Sequence, residues 1–230
     1  MKEIDVLYED NHIIAVNKKS SQITQGDKTG DIPLNELVKE FIKIRDSKPG
    51  KVFLGTIHRL DRPVSGVVLF AKTSKSLTRL NKLFQDKKIQ KTYWAITLKR
   101  NVNPEMELIH FLEKNTKKNK TTAFEKEKEG SKKSILSYKL RGQSLNHNFI
   151  EVYPKTGRPH QIRVQLAKIG CVIKGDIKYG YPEPNKNKSI HLHARKIEFI
   201  HPVKKETIII TARPPKDNYW DEFMKMKNKK

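Results

Sequence analysis

Apolar positions along this chain fall into two rhythms, short blocks with period two and longer stretches with helical spacing. The opening "IDVLYEDNHIIAVNKK" predicts two strands around an Asp-Asn turn, because short β-branched runs flank "EDNH". From Pro33, Leu34, Leu37, Val38, Phe41 and Ile42 recur at helical spacing, with Asp31 as the expected N-cap and Pro33 in the first turn. That helix should stop before "SKPGK". "GVVLFAK" reads as a short buried strand, and "SKSLTRLNKLFQDKKI" as a helix with Leu77, Leu80, Leu83 and Phe84 on one face and Ser74 as its cap. "KTYWAITL" returns to strand, "SILSYKLRGQSLNHNFIEVYP" gives two strands around a turn, and "HLHARKIEFIHP" with "ETIIITAR" gives a last strand pair. "HQIRVQLAKIG" is ambiguous, with the helix favoured because Gly170 can terminate it.

Strand, helix, strand suggests a sheet backed by helices, but an opening hairpin argues against an all-parallel sheet. The expected class is α+β, with a mixed, mainly antiparallel central sheet flanked by helices. No repeat or linker divides the chain, so residues 1–222 are expected to form a single domain and 223–230 a basic, disordered tail.

Charge changes the picture. Forty-eight Lys and Arg against 25 Asp and Glu leave a formal charge of +23. Nucleic acid is the natural partner for that excess, since neutralised phosphates release counterions. Residues 113–133 concentrate it, with eight lysines and four glutamates and almost no apolar periodicity, and are expected to be a solvated hairpin or loop. The single cysteine, Cys171, rules out an intramolecular disulfide and a paired-cysteine metal clip. The acidic start and the short apolar runs give neither a signal peptide nor a membrane span, so a soluble, cytoplasmic protein is expected.

The candidate chemistry centres on "HRLDRPVSG", where Asp61 stands between Arg59 and Arg62. By itself an acid between arginines is either a surface ion pair or turn residue, or a carboxylate held ionised for chemistry. A second cluster, "TGRPHQIRVQLAKIGCVIKGDIKYG", gathers Arg158, His160, Gln161 and Arg163, donors suited to a phosphate or a buried acid. His58, His191 and His193 do not form a metal set, because no third ligand is placed with the His-x-His pair. These histidines are expected to be buried and hydrogen-bonded to backbone, Trp94 and Phe70 to lie in the core, and Cys171 to be a small buried apolar residue.

"HRLDRPVSGVVLFAK", "KTYWAI", "TGRPHQIRVQLAKIGCVIKGDIKYG" and "HLHARKIEFIHP", in that order, closely resemble the sequence blocks of the RluA-type RNA pseudouridine synthases. The resemblance runs from about residue 4 to residue 215, and it is the ordered set of four that makes it specific. It implies the pseudouridine synthase fold, isomerisation of uridine to pseudouridine within ribosomal or transfer RNA, no cofactor and no metal. By position, Asp61 matches the family's essential aspartate, Tyr93 its active-site tyrosine and Arg163 the arginine that pairs with the aspartate. Arg59 matches the residue that fills the space left by the extruded nucleotide. Arg62, Arg158, His160 and Gln161 are the further candidates for RNA contact.

Two departures stand out. The family's "KPxG" after the second strand is missing its proline and glycine in "VNKKSSQIT", and Val64 stands where a threonine is common. An N-terminal RNA-binding module of the S4 type, carried by many members, is not expected here, and a monomer is the default. Two other readings compete: a non-catalytic RNA-binding or ribosome-assembly factor on the same fold, motivated by charge, and a hydrolase using Asp61 as base, for which no second acid or metal cluster appears.

Overall fold

The structure is a computed structural model and describes residues 4–26 and 30–227. Its elements in chain order are β1 (Val6–Glu9), β2 (Ile13–Lys18), α1 (Leu34–Arg45), β3 (Gly55–Thr56), β4 (Ser65–Ala71), α2 (Ser74–Gln85), β5 (Gln90–Leu98), β6 (Glu105–Asn115), β7 (Lys120–Phe124), β8 (Lys132–Gln143), β9 (His147–Pro154), α3 (Gln161–Lys168), β10 (Leu192–Ile200), β11 (Thr207–Thr211) and α4 (Asn218–Lys227), with a 3-10 turn at Ile177–Tyr179. The chain divides into two compact units, Met1–Gln90 with Ala194–Pro214, and Lys91–His193 with Pro215–Lys230. Each is built from two separate stretches of chain.

In the first unit the strand order is β1-β2-β4-β10, with β11 beside β10 and β3 beside β4. The β1–β2, β2–β4, β3–β4 and β10–β11 ladders are antiparallel. The Asp-Asn turn forms as expected because the Asp10 carboxylate accepts from the amides of His12 (2.7 Å) and Ile13 (2.9 Å). Ile13, Ala15, Val67, Leu69, Leu80, Ile197 and Phe199 build the core, with Leu77, Leu83 and Phe84 of α2 packed on it.

Gly66 is irreplaceable there. Its φ is +118°, and a Cβ would sit 2.3 Å from the Ala194 carbonyl oxygen. Only glycine allows β4 and β10 to approach so closely.

In the second unit the order is β5-β9-β8-β6-β7, and the four ladders are antiparallel. Trp94, Ile96, Phe149, Trp220 and Phe223 form its core. The α+β class with mainly antiparallel strands is thus present, and residues 113–124 of the lysine-rich segment lie in the β6–β7 hairpin, whose tip is exposed while Thr121 and Ala123 are buried.

Several local expectations need correction. Asp31 does not cap α1: Pro33 occupies the N-cap position without a side-chain bond, and Asp31 instead pairs with Arg62. Thr73, not Ser74, caps α2, its side chain accepting from the Ser76 amide at 3.1 Å. Residues 223–227, expected in the tail, belong to α4, which buries Phe223 completely against Trp94 and Phe149; residues 228–230 lie outside the described residues. His191 bonds to side chains, Asn185 at 3.1 Å and Asp217 at 3.0 Å, rather than to backbone.

Candidate active-site elements

The loop carrying Asp61 lies between β3 and β4 in the first unit. Its anchoring begins at His58, whose Nε2 accepts from the Leu69 amide at 3.0 Å while the ring stacks on Phe84. The residues on both sides of Asp61 are pinned. On one side, the buried Thr24 hydroxyl donates to the Leu60 carbonyl and accepts from the Leu60 amide, each at 3.2 Å. On the other, the Arg62 carbonyl accepts from the Ser21 amide at 2.8 Å and from Lys18 Nζ at 3.2 Å. The Val64 amide donates back to the Asp61 carbonyl at 3.0 Å and closes the turn. Asp61 itself is half-buried.

Lys18 went unnoticed in the sequence. It is fully buried, and its ammonium donates to three carbonyls, those of Gln22 (2.7 Å), Lys19 (3.1 Å) and Arg62 (3.2 Å). Burial pulls its pKa down to about 7, against the opposing pull of the Asp61 charge and with a smaller push from Arg62. The turn that Lys18 braces is the one where the family pattern has "KPxG". Ser21 in this turn takes the left-handed conformation, φ +72°. A lysine closing the strand "IIAVNK", whose first four residues are apolar, was the signal available for a buried ammonium.

In the second unit, Tyr93 on β5 is half-buried between the buried Thr92 and Trp94, opposite Val152 of β9. Lys91 is also half-buried and shares the strand face of Tyr93 by alternation; burial lowers its pKa. Arg163 on α3 is 5% exposed. Its Nε and Nη2 donate to the two carboxylate oxygens of Asp176 at 2.7 and 2.8 Å, a bidentate pair whose acid is 1% exposed. Asp176 lies inside the "GDIKYG" segment and was not singled out as a partner.

The loop before α3 is held by Gln161, which is 4% exposed. Its Oε1 accepts from the Thr156 hydroxyl (2.8 Å) and the Arg158 amide (3.0 Å), and its Nε2 donates to the Ile135 carbonyl (3.1 Å). Next to it, His160 adopts φ +54° and shares a 2.8 Å hydrogen bond with the Tyr179 hydroxyl. Arg59 and Arg158 are exposed and His160 is half-buried, while Arg62 is tied to Asp31 at 2.5 Å. Among the described residues, no group of three or more His, Cys, Asp or Glu could hold a metal ion, and no helix is long and apolar enough to cross a membrane.

A family model described as RNA pseudouridylate synthase matches residues 12–168, a span that includes Asp61, Tyr93 and Arg163. The ribosomal large subunit pseudouridine synthase C of Buchnera aphidicola subsp. Schizaphis graminum is 34% identical over 234 residues, covering 96% of this chain and 69% of that protein. The tRNA pseudouridine synthase C of Haemophilus influenzae is 30% identical over 239 residues, covering 96% of each. Among solved structures, human RNA pseudouridylate synthase domain containing 4 superposes with a TM-score of 0.78 at 20% identity, over 97% of this chain and 93% of that one, a likeness of fold. The reach of the family match and the identity to relatives that align along nearly all of this chain lead to one conclusion: the chain belongs to the RNA pseudouridylate synthase family, whose members are isomerases.

Proposed function

We propose that this protein isomerises specific uridines to pseudouridine in structured ribosomal or transfer RNA, with Asp61 as the carboxylate that acts on a flipped-out nucleotide. The observation that carries the assignment is the pinning of both neighbours of Asp61, Leu60 by Thr24 and Arg62 by Lys18 and Ser21. A carboxylate that must meet one atom of a bound nucleotide needs a backbone that does not drift. An acid serving only a surface ion pair has no such need.

The reaction breaks the bond from C1′ of the ribose to N1 of uracil and forms one from C1′ to C5. N1 gains a proton and C5 loses one, so the process is an isomerisation and consumes no cofactor. A uridine stacked in folded RNA exposes neither atom, and extruding it costs about a few kcal/mol. The exposed Arg59 and Arg158, with His160, are placed by this reading on the RNA and offset that cost. Arg62 carries a structural pair and Gln161 shapes the loop of Arg158. Arg163 is by this reading the arginine of the reaction site, its guanidinium gripped by Asp176. Tyr93 offers an aromatic face for uracil and a hydroxyl near C5.

Loss of the C5 hydrogen makes the reading directly measurable. RNA labelled with [5-³H]uridine, prepared from a strain lacking this gene, should release tritium with the wild-type protein. Asp61→Asn should abolish release while retaining RNA binding, and an Asn variant with wild-type activity would refute the assignment. Salt-sensitive RNA binding by the wild type with no release at all would favour a non-catalytic RNA-binding factor.

A further inference from the structure

One side chain outside the candidate catalytic set joins three parts of the second unit. Tyr179 closes the 3-10 turn that begins one residue after Asp176, and its amide donates to the Asp176 carbonyl at 3.1 Å. Its ring lies under Arg163, whose guanidinium carbon is 5.1 Å from the ring centroid. Its hydroxyl accepts from the Thr121 amide of β7 at 3.0 Å and bonds to His160 Nδ1 at 2.8 Å, with the two rings almost perpendicular at 88°. The ring also packs with Leu112 of β6, Ala123 of β7 and Val164 of α3. Burial raises the phenol's pKa above the ordinary tyrosine value, which keeps it a neutral hydrogen-bonding group.

The surroundings show what that junction connects. The β6–β7 hairpin ends in exposed Lys114, Lys117, Lys118 and Lys120. It is hitched to the Arg158–His160 loop by Thr121, whose hydroxyl donates to the Pro159 carbonyl at 3.1 Å. Its tip is also held by Lys178, whose ammonium donates to the Asn119 carbonyl at 3.0 Å. His160 keeps a left-handed backbone conformation that costs a non-glycine residue free energy, so the phenol bond and the hairpin restrain a loop that would otherwise relax.

We propose that Tyr179 is a positioning residue with two separable actions: its ring sets the plane of the Arg163 guanidinium, and its hydroxyl clamps His160 and the lysine-bearing hairpin into one RNA-facing surface. The ring acts through dispersion and cation–π attraction on a charge already gripped by Asp176, and so fixes the one rotation the bidentate pair leaves soft. The hydroxyl acts through two hydrogen bonds that neither Phe nor Leu can make. This inference rests on the reading of Arg163 as part of the reaction site.

Two variants separate the actions. Tyr179→Phe keeps the ring and deletes the hydroxyl; it should raise KM for [5-³H]uridine-labelled total RNA from the gene-deleted strain about fivefold, with kcat within about twofold, the scale of a lost neutral hydrogen bond. Tyr179→Leu removes the ring as well and should lower kcat about tenfold in addition, the scale of a desolvated cation–π contact. Rates are taken per folded molecule, with folding followed by circular dichroism, because a merely structural tyrosine would lower thermal stability and move neither constant. Both variants within twofold of wild type in kcat and KM would overturn the proposal, as would a Phe variant that loses kcat as fully as Leu. Asp61→Asn runs alongside: if it keeps wild-type activity, the site reading fails and this inference with it. If it is inactive while the Tyr179 variants behave as wild type, this inference alone fails.

Discussion

Two arginines in this protein each hold a carboxylate, in opposite surroundings. Arg62 meets Asp31 at 2.5 Å with 36% and 58% of the two side chains exposed. Arg163 meets Asp176 at 2.7 Å with 6% and 2% exposed. The chemistry is the same and the consequence is not. Water competes for every bond of the first pair, and salt screens it. The second pair has no water to fall back on, so losing either partner strands a charge. The first is replaceable decoration on a loop whose backbone is held by other groups, whereas the second is part of the frame of α3.

That contrast can be broken most forcefully at Asp176. Asp176→Asn should cost about 3–5 kcal/mol of unfolding free energy, read from urea denaturation, because it leaves the Arg163 guanidinium buried without its counter-charge. A loss under about 1 kcal/mol would place this pair in the same class as the surface one.

Lys18 sharpens the contrast, since it is a buried cation whose hydrogen-bond acceptors are carbonyls. Its pKa falls from the ordinary lysine value, above 10, to about 7 on folding. Between those values the unfolded chain holds a proton that the folded chain does not, so raising pH through this window favours the folded state. The stability of the wild type relative to Lys18→Met should therefore climb by about 1 kcal/mol per pH unit above neutrality. Denaturation curves across that range check it, and a flat difference would mean that the lysine keeps its proton throughout. The smallest effect belongs to Asp31→Asn, expected to change stability by under about 1 kcal/mol, less in high salt. A larger, salt-independent loss there would erase the distinction between the two arginines.

Legibility in the sequence followed the range of the interaction. The β1–β2 hairpin was readable because its turn chemistry is local: Asp10 bonds to amides two and three residues on. The amphipathic faces of α1 and α2 were equally plain, since one spacing rule sets them. Caps were less so, because Asp31, Pro33, Thr73 and Ser74 are all acceptable near a helix start and the choice depends on where the chain enters. Strand β6 was passed over although Leu108, His110 and Leu112 are buried in alternation, since its exposed positions hold Met106, Ile109 and charged residues that blur the period. Residues 223–227 of α4 read as tail because "MKMKNKK" is basic and shows no apolar period. Phe223 becomes core only through Trp94 and Phe149, residues far back in the chain.

What the sequence determined by itself is the order of β1, β2, α1, β4, α2, β5, β8, β9, α3, β10 and β11, the excess of basic residues and, through four blocks in order, the family. These depend on spacing and composition, which the chain carries whether folded or not. Tertiary structure alone decided that Arg163 grips Asp176, that Lys18 is walled off with three carbonyls, and that Tyr179 joins the hairpin to α3. Each of these depends on burial. Burial sets what a charge or a hydroxyl is worth, and it exists only once distant segments exclude water together.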